Sequence, residues 1–146
     1  IIKKFNWNKK PSTLLRNEII QFLYEHLEEF RDPKEDIEKA IKYALKEEES
    51  FGGFILCGYI EQELVSAVIM NRTGMKDYIP ENILVYIATH QNKRGKGIGR
   101  KMMEEALSSV EGNVALHVEP NNPARFLYQK LGFTNKYLEM RYIKSK

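Results

Sequence analysis

Cysteine and tryptophan are nearly absent from this sequence, which has one of each among its 146 residues. A single cysteine, Cys57, excludes a disulfide within the chain. Sparse cysteine use is typical of a reducing compartment, so we expect a cytoplasmic protein. Cys57 lies inside an apolar stretch, which favours a small buried side chain over a nucleophile.

Long apolar runs and a strong net charge are also missing. No run approaches the roughly 20 apolar residues of a membrane-spanning helix, and no signal-peptide pattern is visible. The formal net charge of +3 is too small to indicate a general affinity for nucleic acid. We therefore expect neither a membrane nor a nucleic-acid partner. The length suits one core, so we expect a single domain over residues 1–146.

The most informative segment covers residues 83–99, where an apolar, β-rich run ends at Thr89 and a glycine-rich loop follows. Apolar residues then recur at helical spacing from Ile98 to Val110. A strand, a glycine-rich turn and a helix start suit phosphate binding, because the backbone can approach closely and the first helical N–H groups face the anion. Basic residues without an acid among them add to this prediction: Lys93, Arg94, Lys96, Arg100 and Lys101.

Two common phosphate-binding patterns do not fit this loop. The Walker pattern needs four residues between its first glycine and a Gly-Lys-Ser/Thr, which the loop lacks. In the dinucleotide pattern G-x-G-x-x-G the third glycine would fall on Arg100 or Met102. The chain after Glu119 is also too short to complete a doubly wound sheet.

The spacing of Arg94, Gly97 and Gly99 resembles Gln/Arg-x-x-Gly-x-Gly/Ala, the acyl-CoA pyrophosphate loop of GNAT N-acetyltransferases. Residues 116–133, LHVEPNNPARFLYQKLGF, are similar to a second motif of that superfamily. The resemblance implies the GNAT fold, an α/β (α+β) domain with about four helices on both faces of a mixed, mostly antiparallel sheet. That sheet would have six to seven strands and a splay between two central parallel strands.

Hydrophobic periodicity predicts the order β-α-α-β-β-β-α-β-α-β. The expected strands are residues 1–7, 54–61, 64–72, 83–89, 114–119 and 136–143. The expected helices begin at Ser12 or Thr13, at Asp32 as N-cap with Pro33 first in the helix, after Gly97, and at Asn122. His26, near the apolar face of the first helix, is expected to be a partly buried structural side chain.

The resemblance also implies a binding site for acetyl-CoA, and no metal. The backbone of Ile87, Ala88 and Thr89 would hydrogen-bond the pantetheine arm, and one N–H of this strand would polarise the thioester carbonyl. Asn122 matches the asparagine that contacts the cofactor arm. Backbone N–H groups of the loop would bind the pyrophosphate, and the expected binding residues there are Arg94, Gly95, Lys96, Gly97, Ile98, Gly99 and Arg100.

Tyr128 matches the family tyrosine that faces the CoA sulfur and acts as general acid. A phenol with a pKa near ~10 is protonated at pH 7 and can donate to a thiolate. The general base stays open, because many family members have a glutamate at the position of Val85. The candidates are Glu119, His117, Tyr86, His90 or a water, and we favour Glu119.

The expected activity is transfer of an acetyl group from acetyl-CoA to a primary amine, directly and in a ternary complex. The acceptor would be a small molecule or a peptide, and the protein a monomer or homodimer. Acids outnumber bases two to one in residues 25–50, which favours solvated helix faces over a surface that attracts a cationic amine. The alternative hypothesis, based on Val85, is a non-catalytic acyl-CoA-binding or sensing module.

Overall fold

Five strands form one mixed sheet with the order β1-β2-β3-β4-β5. They are β1 (Ile2–Phe5), β2 (Gly53–Ile60), β3 (Glu63–Arg72), β4 (Asn82–Thr89) and β5 (Val114–Leu116). The pairings β1–β2, β2–β3 and β3–β4 are antiparallel, and β5 runs parallel to β4. The computed structural model describes residues 1–145. The mixed, mostly antiparallel sheet predicted from the sequence is therefore confirmed.

Four α-helices accompany the sheet: α1 (Thr13–His26), α2 (Lys34–Ala44), α3 (Ile98–Ser108) and α4 (Ala124–Lys130). The hydroxyl of Ser12 accepts the Leu15 N–H at 3.1 Å and caps α1, as expected. Helix α2 begins one residue later than predicted, with Pro33 as N-cap. Asp32 makes no cap there, because its carboxylate accepts a hydrogen bond from Tyr86 on β4 instead.

The core lies between the sheet and the helix pair α1 and α2. Its fully buried side chains include Ile19, Leu23, Ile41 and Ile55. Helix α3 covers the other face of the sheet, because Gly58, which follows the core residue Cys57 in β2, faces the α3 residue Met102. Burial raises the pKa of the Cys57 thiol to about 12, so this cysteine is the inert buried side chain expected from the sequence.

Two of the sequence expectations about strands are wrong. The sheet has five strands rather than six to seven, and the expected strand 136–143 is not formed. Its apolar side chains are exposed, among them Tyr137, Leu138 and Met140. A strand needs a neighbour for its backbone hydrogen bonds, and the described chain after His117 contains no strand that could pair with it.

The parallel strands also differ from the expectation, because β5 is an edge strand rather than a central one. It pairs with β4 only from Asn82↔Val114 to Leu84↔Leu116. Beyond Leu84, the rest of β4 has no strand partner on this side within the described chain. The end of the pairing leaves an open strand edge at the expected position of a splay.

The chain separates into two compact units, Ile1–Leu116 and the residues from His117 onward. The first unit contains the whole sheet with α1, α2 and α3, and the second contains α4. None of the helices described for residues 1–145 is long and apolar enough to cross a membrane.

Candidate functional site

Strand β4 changes its register at Val85, next to the expected cofactor-binding residues. Ile69 of β3 pairs with Tyr86, whereas the following Met70 pairs with Leu84, so Val85 is an extra residue in a β-bulge. Val85 and Tyr86 both pack against the core beneath α1 and α2. The bulge therefore places an apolar side chain where many family members have a glutamate.

The three strand residues expected to bind the cofactor arm lie just after this bulge. Ile87, Ala88 and Thr89 pair with β3 on one side only. The buried Ser66 hydroxyl donates to the Ala88 carbonyl at 2.8 Å and holds this end of the strand. On the other edge of Ile87–Thr89, the backbone N–H and C=O groups have no strand partner among residues 1–145. An extended ligand can hydrogen-bond to them in the way that an additional strand would.

The glycine-rich loop connects this strand end to α3 through a short 3-10 turn, Gln91–Lys93. Gly95 and Gly97 have φ values of 79° and 81°, a left-handed conformation that favours glycine. Gly97 is the N-cap of α3, and among the described residues no side chain caps this helix. The N–H groups of its first turn therefore remain available to an anion.

The space and charge around the loop fit a pyrophosphate. A Cβ atom added to Gly95 or Gly97 would meet no atom within 4 Å, so ligand atoms can approach the backbone there. Lys96 and Arg100 are exposed, and the Arg100 guanidinium lies 3.6 Å from Glu104 one turn along the helix. Ile98 and Gly99, in the first turn of α3, are partly buried. These cations and N–H groups are suited to bind two linked phosphates.

Arg94, expected in the binding loop, makes its contacts to the protein instead of pointing into open space. Its Nε donates to the Thr89 carbonyl at 3.1 Å, and its Nη2 donates to the His26 carbonyl at 2.6 Å. Its Nη1 lies 2.8 Å from a carboxylate oxygen of Glu28. The guanidinium thus joins the end of β4 to the segment that follows α1.

Two histidines stack beside this guanidinium. The ring centroids of His26 and His90 are 4.2 Å apart. The Nδ1 of His26 accepts the Gln91 N–H at 3.3 Å, and the Nδ1 of His90 accepts the Asn92 N–H at 3.1 Å. His26 is 5% exposed, and burial followed by the charge of His90 lowers its pKa. His26 is thus more fully buried than the partial burial expected from the sequence, and its hydrogen bond to Gln91 supports the start of the loop.

Tyr86, one of the candidate bases, is engaged with Asp32. Its hydroxyl donates to a carboxylate oxygen of Asp32 at 2.6 Å. Burial, followed by this hydrogen bond and the Asp32 charge, raises the pKa of Tyr86. The hydroxyl therefore stays protonated at neutral pH and ties β4 to the segment between α1 and α2.

The second unit contains the other expected site residues. Tyr128 is buried on α4 with its ring 5.8 Å from that of Phe133, and burial raises its pKa to about 12. Helix α4 begins one residue later than predicted, with Pro123 rather than Asn122 as N-cap, and the Asn122 side chain accepts the Ala124 N–H at 2.9 Å. Glu119 is exposed, as is His117. Glu119 belongs to the expected strand 114–119, of which only Val114–Leu116 is formed.

The sequence did not predict that Glu28 and Asp32, between α1 and α2, would contact the loop and β4. Glu28 and Asp32 belong to an acidic stretch whose pattern predicts only solvated helix faces. Their contacts with Arg94 and Tyr86 join positions 66 and 54 residues apart in sequence. The break in helical periodicity between α1 and Pro33 is the one signal that marks this segment.

A cavity of about 490 Å³ lies at the opposite end of β4 from the loop. Its lining includes Trp7, Arg72, Asn82 and Glu111, and none of the expected site residues. The candidate site is therefore the open surface along Ile87–Thr89 and the loop, within the first unit.

Comparison with protein families gives a match, which spans the strands, the loop and the helix described above. The family model described as acetyltransferase (GNAT) domain matches residues 51–135, more than half of the chain. The match includes β2, β3, β4, the glycine-rich loop, α3 and α4. No curated protein matches the sequence.

Solved structures share the fold at low sequence identity. A ribosomal-protein-alanine N-acetyltransferase from Brucella melitensis biovar Abortus 2308 is 16% identical, with a TM-score of 0.67 over 100% of this chain and 99% of that chain. PH1933 from Pyrococcus horikoshii OT3 is 23% identical, with a TM-score of 0.67 over 96% and 93%.

The aminoglycoside N-acetyltransferase AAC(6')-Iy, solved in complex with CoA, is 13% identical, with a TM-score of 0.67 over 99% of this chain and 93% of that chain. The family match covers both sequence motifs, and the fold likeness extends over nearly the whole chain. The protein therefore belongs to the GNAT superfamily of acetyltransferases.

Proposed function

We propose that the protein transfers an acetyl group from acetyl-CoA to a primary amine by direct attack in a ternary complex. The observation that carries this proposal is the loop Arg94–Gly99, with its left-handed glycines and the uncapped start of α3. It follows the open edge of β4 within the region of the family match. The presence of CoA in a structure that shares the fold supports the choice of cosubstrate.

Acetyl-CoA supplies a thioester carbonyl carbon, to which the amine nitrogen forms a bond while the bond to sulfur breaks. The chain's part is to bind, orient and move protons. The α3 N–H groups bind the pyrophosphate, and the open backbone of Ile87–Thr89 aligns the pantetheine arm and polarises the carbonyl oxygen. Together they fix the carbonyl carbon at one position, which the amine must reach.

Tyr128 is proposed to give the departing thiolate its proton. Burial raises the pKa of Tyr128 to about 12, so the hydroxyl is protonated at every pH at which the enzyme would work. Asn122, whose side chain accepts the N–H of the first α4 residue, Ala124, lies just before the helix that carries this tyrosine and is proposed to contact the cofactor arm.

Glu119 is proposed as the group that removes the proton from the acceptor ammonium, directly or through a water. It is exposed and therefore accessible to an incoming amine. Tyr86 is a weaker candidate, because its hydroxyl donates to Asp32 and its pKa is raised. The Nδ1 of His90 is occupied by the Asn92 N–H, which leaves only its Nε2 for such a role.

The second candidate function is a non-catalytic acyl-CoA-binding module. It is favoured by Val85, an apolar bulge residue where many family members have a glutamate. The two functions share the loop and differ only in turnover.

A screen of amines with acetyl-CoA, monitored by release of free thiol, tests the proposal. It should include polyamines, aminoglycosides, lysine-containing peptides and peptides with an N-terminal alanine. We expect turnover with at least one class. Binding of CoA without turnover of any acceptor would favour the binding module, and no binding of CoA would contradict both functions.

A further inference from the structure

We propose that Arg94 and Glu28 form a latch that holds the acyl-CoA loop in its binding conformation, with Arg94 as a positioning residue rather than a phosphate ligand. The identity of the ligand, CoA, rests on the proposed function. The contacts that form the latch all lie within the first unit.

The three hydrogen bonds of the Arg94 guanidinium reach three separate points of the chain. They join the last residue of β4 (Thr89), the last residue of α1 (His26) and the turn that follows α1 (Glu28). The fork of donors in a guanidinium is rigid and planar, so three acceptors fix its position. The loop between Thr89 and Gly95 is thereby fastened to the end of α1.

The end of α1 supports the loop a second time through His26. Its Nδ1 accepts the N–H of Gln91, the first residue of the 3-10 turn, whereas the bond between His90 and Asn92 lies within the loop itself. The buried ring of His26 packs against His90 and Phe22, which fixes its position. The amide of Gln91 therefore reports whether the latch is closed.

Glu28 has a strained backbone that suits this role. Its φ of 54° lies in the left-handed region, although it is not a glycine. Its carbonyl accepts both the N–H and the Nε of Arg31, at 3.2 and 2.7 Å. These bonds hold the strained residue so that its carboxylate reaches Arg94. Strain of this kind persists only where surrounding contacts impose it, and it concentrates at functional positions.

The latch and the direct phosphate ligand make opposite predictions for Glu28→Gln. If Arg94 bound a phosphate, loss of the Glu28 charge would free the guanidinium and tighten CoA binding. If Arg94 is a positioning residue, the loop loses a support and CoA binding weakens. We expect about two- to fivefold weaker binding, the range that an exposed ion pair gives.

The experiment combines CoA titration by calorimetry with amide hydrogen exchange on the free protein. The variants are Glu28→Gln, Arg94→Gln and the double variant, and Glu29→Gln is the matched control. Glu29 is the exposed neighbour of Glu28, so the control removes the same charge one residue away. Glu28→Gln should speed exchange at Gln91, and Glu29→Gln should not. The double variant should bind CoA no more weakly than Arg94→Gln alone.

Tighter CoA binding by Glu28→Gln would overturn the latch. Equal exchange at Gln91 in the Glu28→Gln and Glu29→Gln variants would overturn it as well. Failure of the wild-type protein to bind CoA would contradict the proposed function alone, because the exchange measurement on the free protein still decides the latch.

Discussion

At the scale of single residues, Tyr128 separates a catalyst from a binding protein. Tyr128→Phe removes only the hydroxyl and keeps the ring that packs near Phe133. General acid catalysis contributes about 10²–10⁴-fold in rate, so kcat should fall at least about tenfold while CoA affinity stays constant. Steady-state kinetics with an acceptor from the amine screen, together with CoA titration, measure both quantities. Equal kcat in the two proteins would exclude the acid role.

Glu119 is the second residue that the chemistry singles out. Glu119→Gln keeps the size of the side chain and removes its titrating carboxylate. The profile of kcat/KM against pH should lose its acidic limb or fall at every pH, because the proton acceptor is gone. Gln129→Glu, an exposed change on α4, controls for a general effect of charge in the second unit. If Glu119→Gln kept the wild-type pH profile, Glu119 would not be the general base, and His117 would be the next candidate.

Residue patterns predicted what local sequence can encode. The glycine-rich turn before α3 and a helix start close to Asn122 follow from residue types at neighbouring positions. The bonds of Arg94 to Glu28 and His26 do not, because they join positions that only the fold brings together. A motif specifies the kind of loop, whereas its supports depend on tertiary structure.

At the scale of elements, the bulged strand β4 is tied to the segment before α2 through Tyr86 and Asp32. Tyr86→Phe should lower the free energy of unfolding by about 1 kcal/mol, since one hydrogen bond to a partly exposed carboxylate is lost. It should leave the pH profile of kcat/KM unchanged, because the raised pKa keeps this hydroxyl protonated. Urea unfolding and pH-dependent kinetics test the two expectations. If the pH profile of kcat/KM for Tyr86→Phe lost its acidic limb, Tyr86 rather than Glu119 would be the general base.

The helices and strands that the sequence predicted correctly are those with a long and regular apolar pattern. Helix α3 and strands β2, β3 and β4 lie close to their predicted positions, because each shows a long and regular apolar pattern. Residues 136–143 have an alternating pattern as well, and yet no strand forms there. An alternating pattern shows that a segment could form a strand, but it does not show whether a neighbouring strand is available to pair with it. This explains why β2, β3 and β4 formed and the strand 136–143 did not.

At the scale of the whole molecule, several weakly acidic side chains that are fully or partly buried and have raised pKa values predict a loss of stability in alkali. Burial raises the pKa of Cys57, Tyr59 and Tyr128 to about 12 in each case. These groups are neutral when protonated, and in the unfolded chain they ionise at lower pH. Stability should therefore be fully present at neutral pH and fall from about pH 9 to 12, because the unfolded state then binds fewer protons.

Tyr128 alone should contribute about 1 kcal/mol to this loss by pH 11 and about 3 kcal/mol once the pH exceeds its folded pKa of about 12, at about 1.4 kcal/mol per pKa unit. Urea unfolding at pH 8 and pH 11 measures the difference in free energy of unfolding. Tyr128→Phe should show a smaller alkaline loss than the wild-type protein, since phenylalanine does not titrate. A stability that is constant up to pH 12 would contradict the burial of these groups.

We propose that the backbone of residues 95–99 binds the pyrophosphate of acetyl-CoA. Calorimetric titration of CoA into the wild-type protein, Gly97→Val and Gly132→Val tests this binding. Both glycines have positive φ values and open space around the missing Cβ, so the two substitutions impose similar backbone strain. We predict at least about tenfold weaker CoA binding for folded Gly97→Val and unchanged binding for Gly132→Val. Wild-type affinity in folded Gly97→Val would contradict the account.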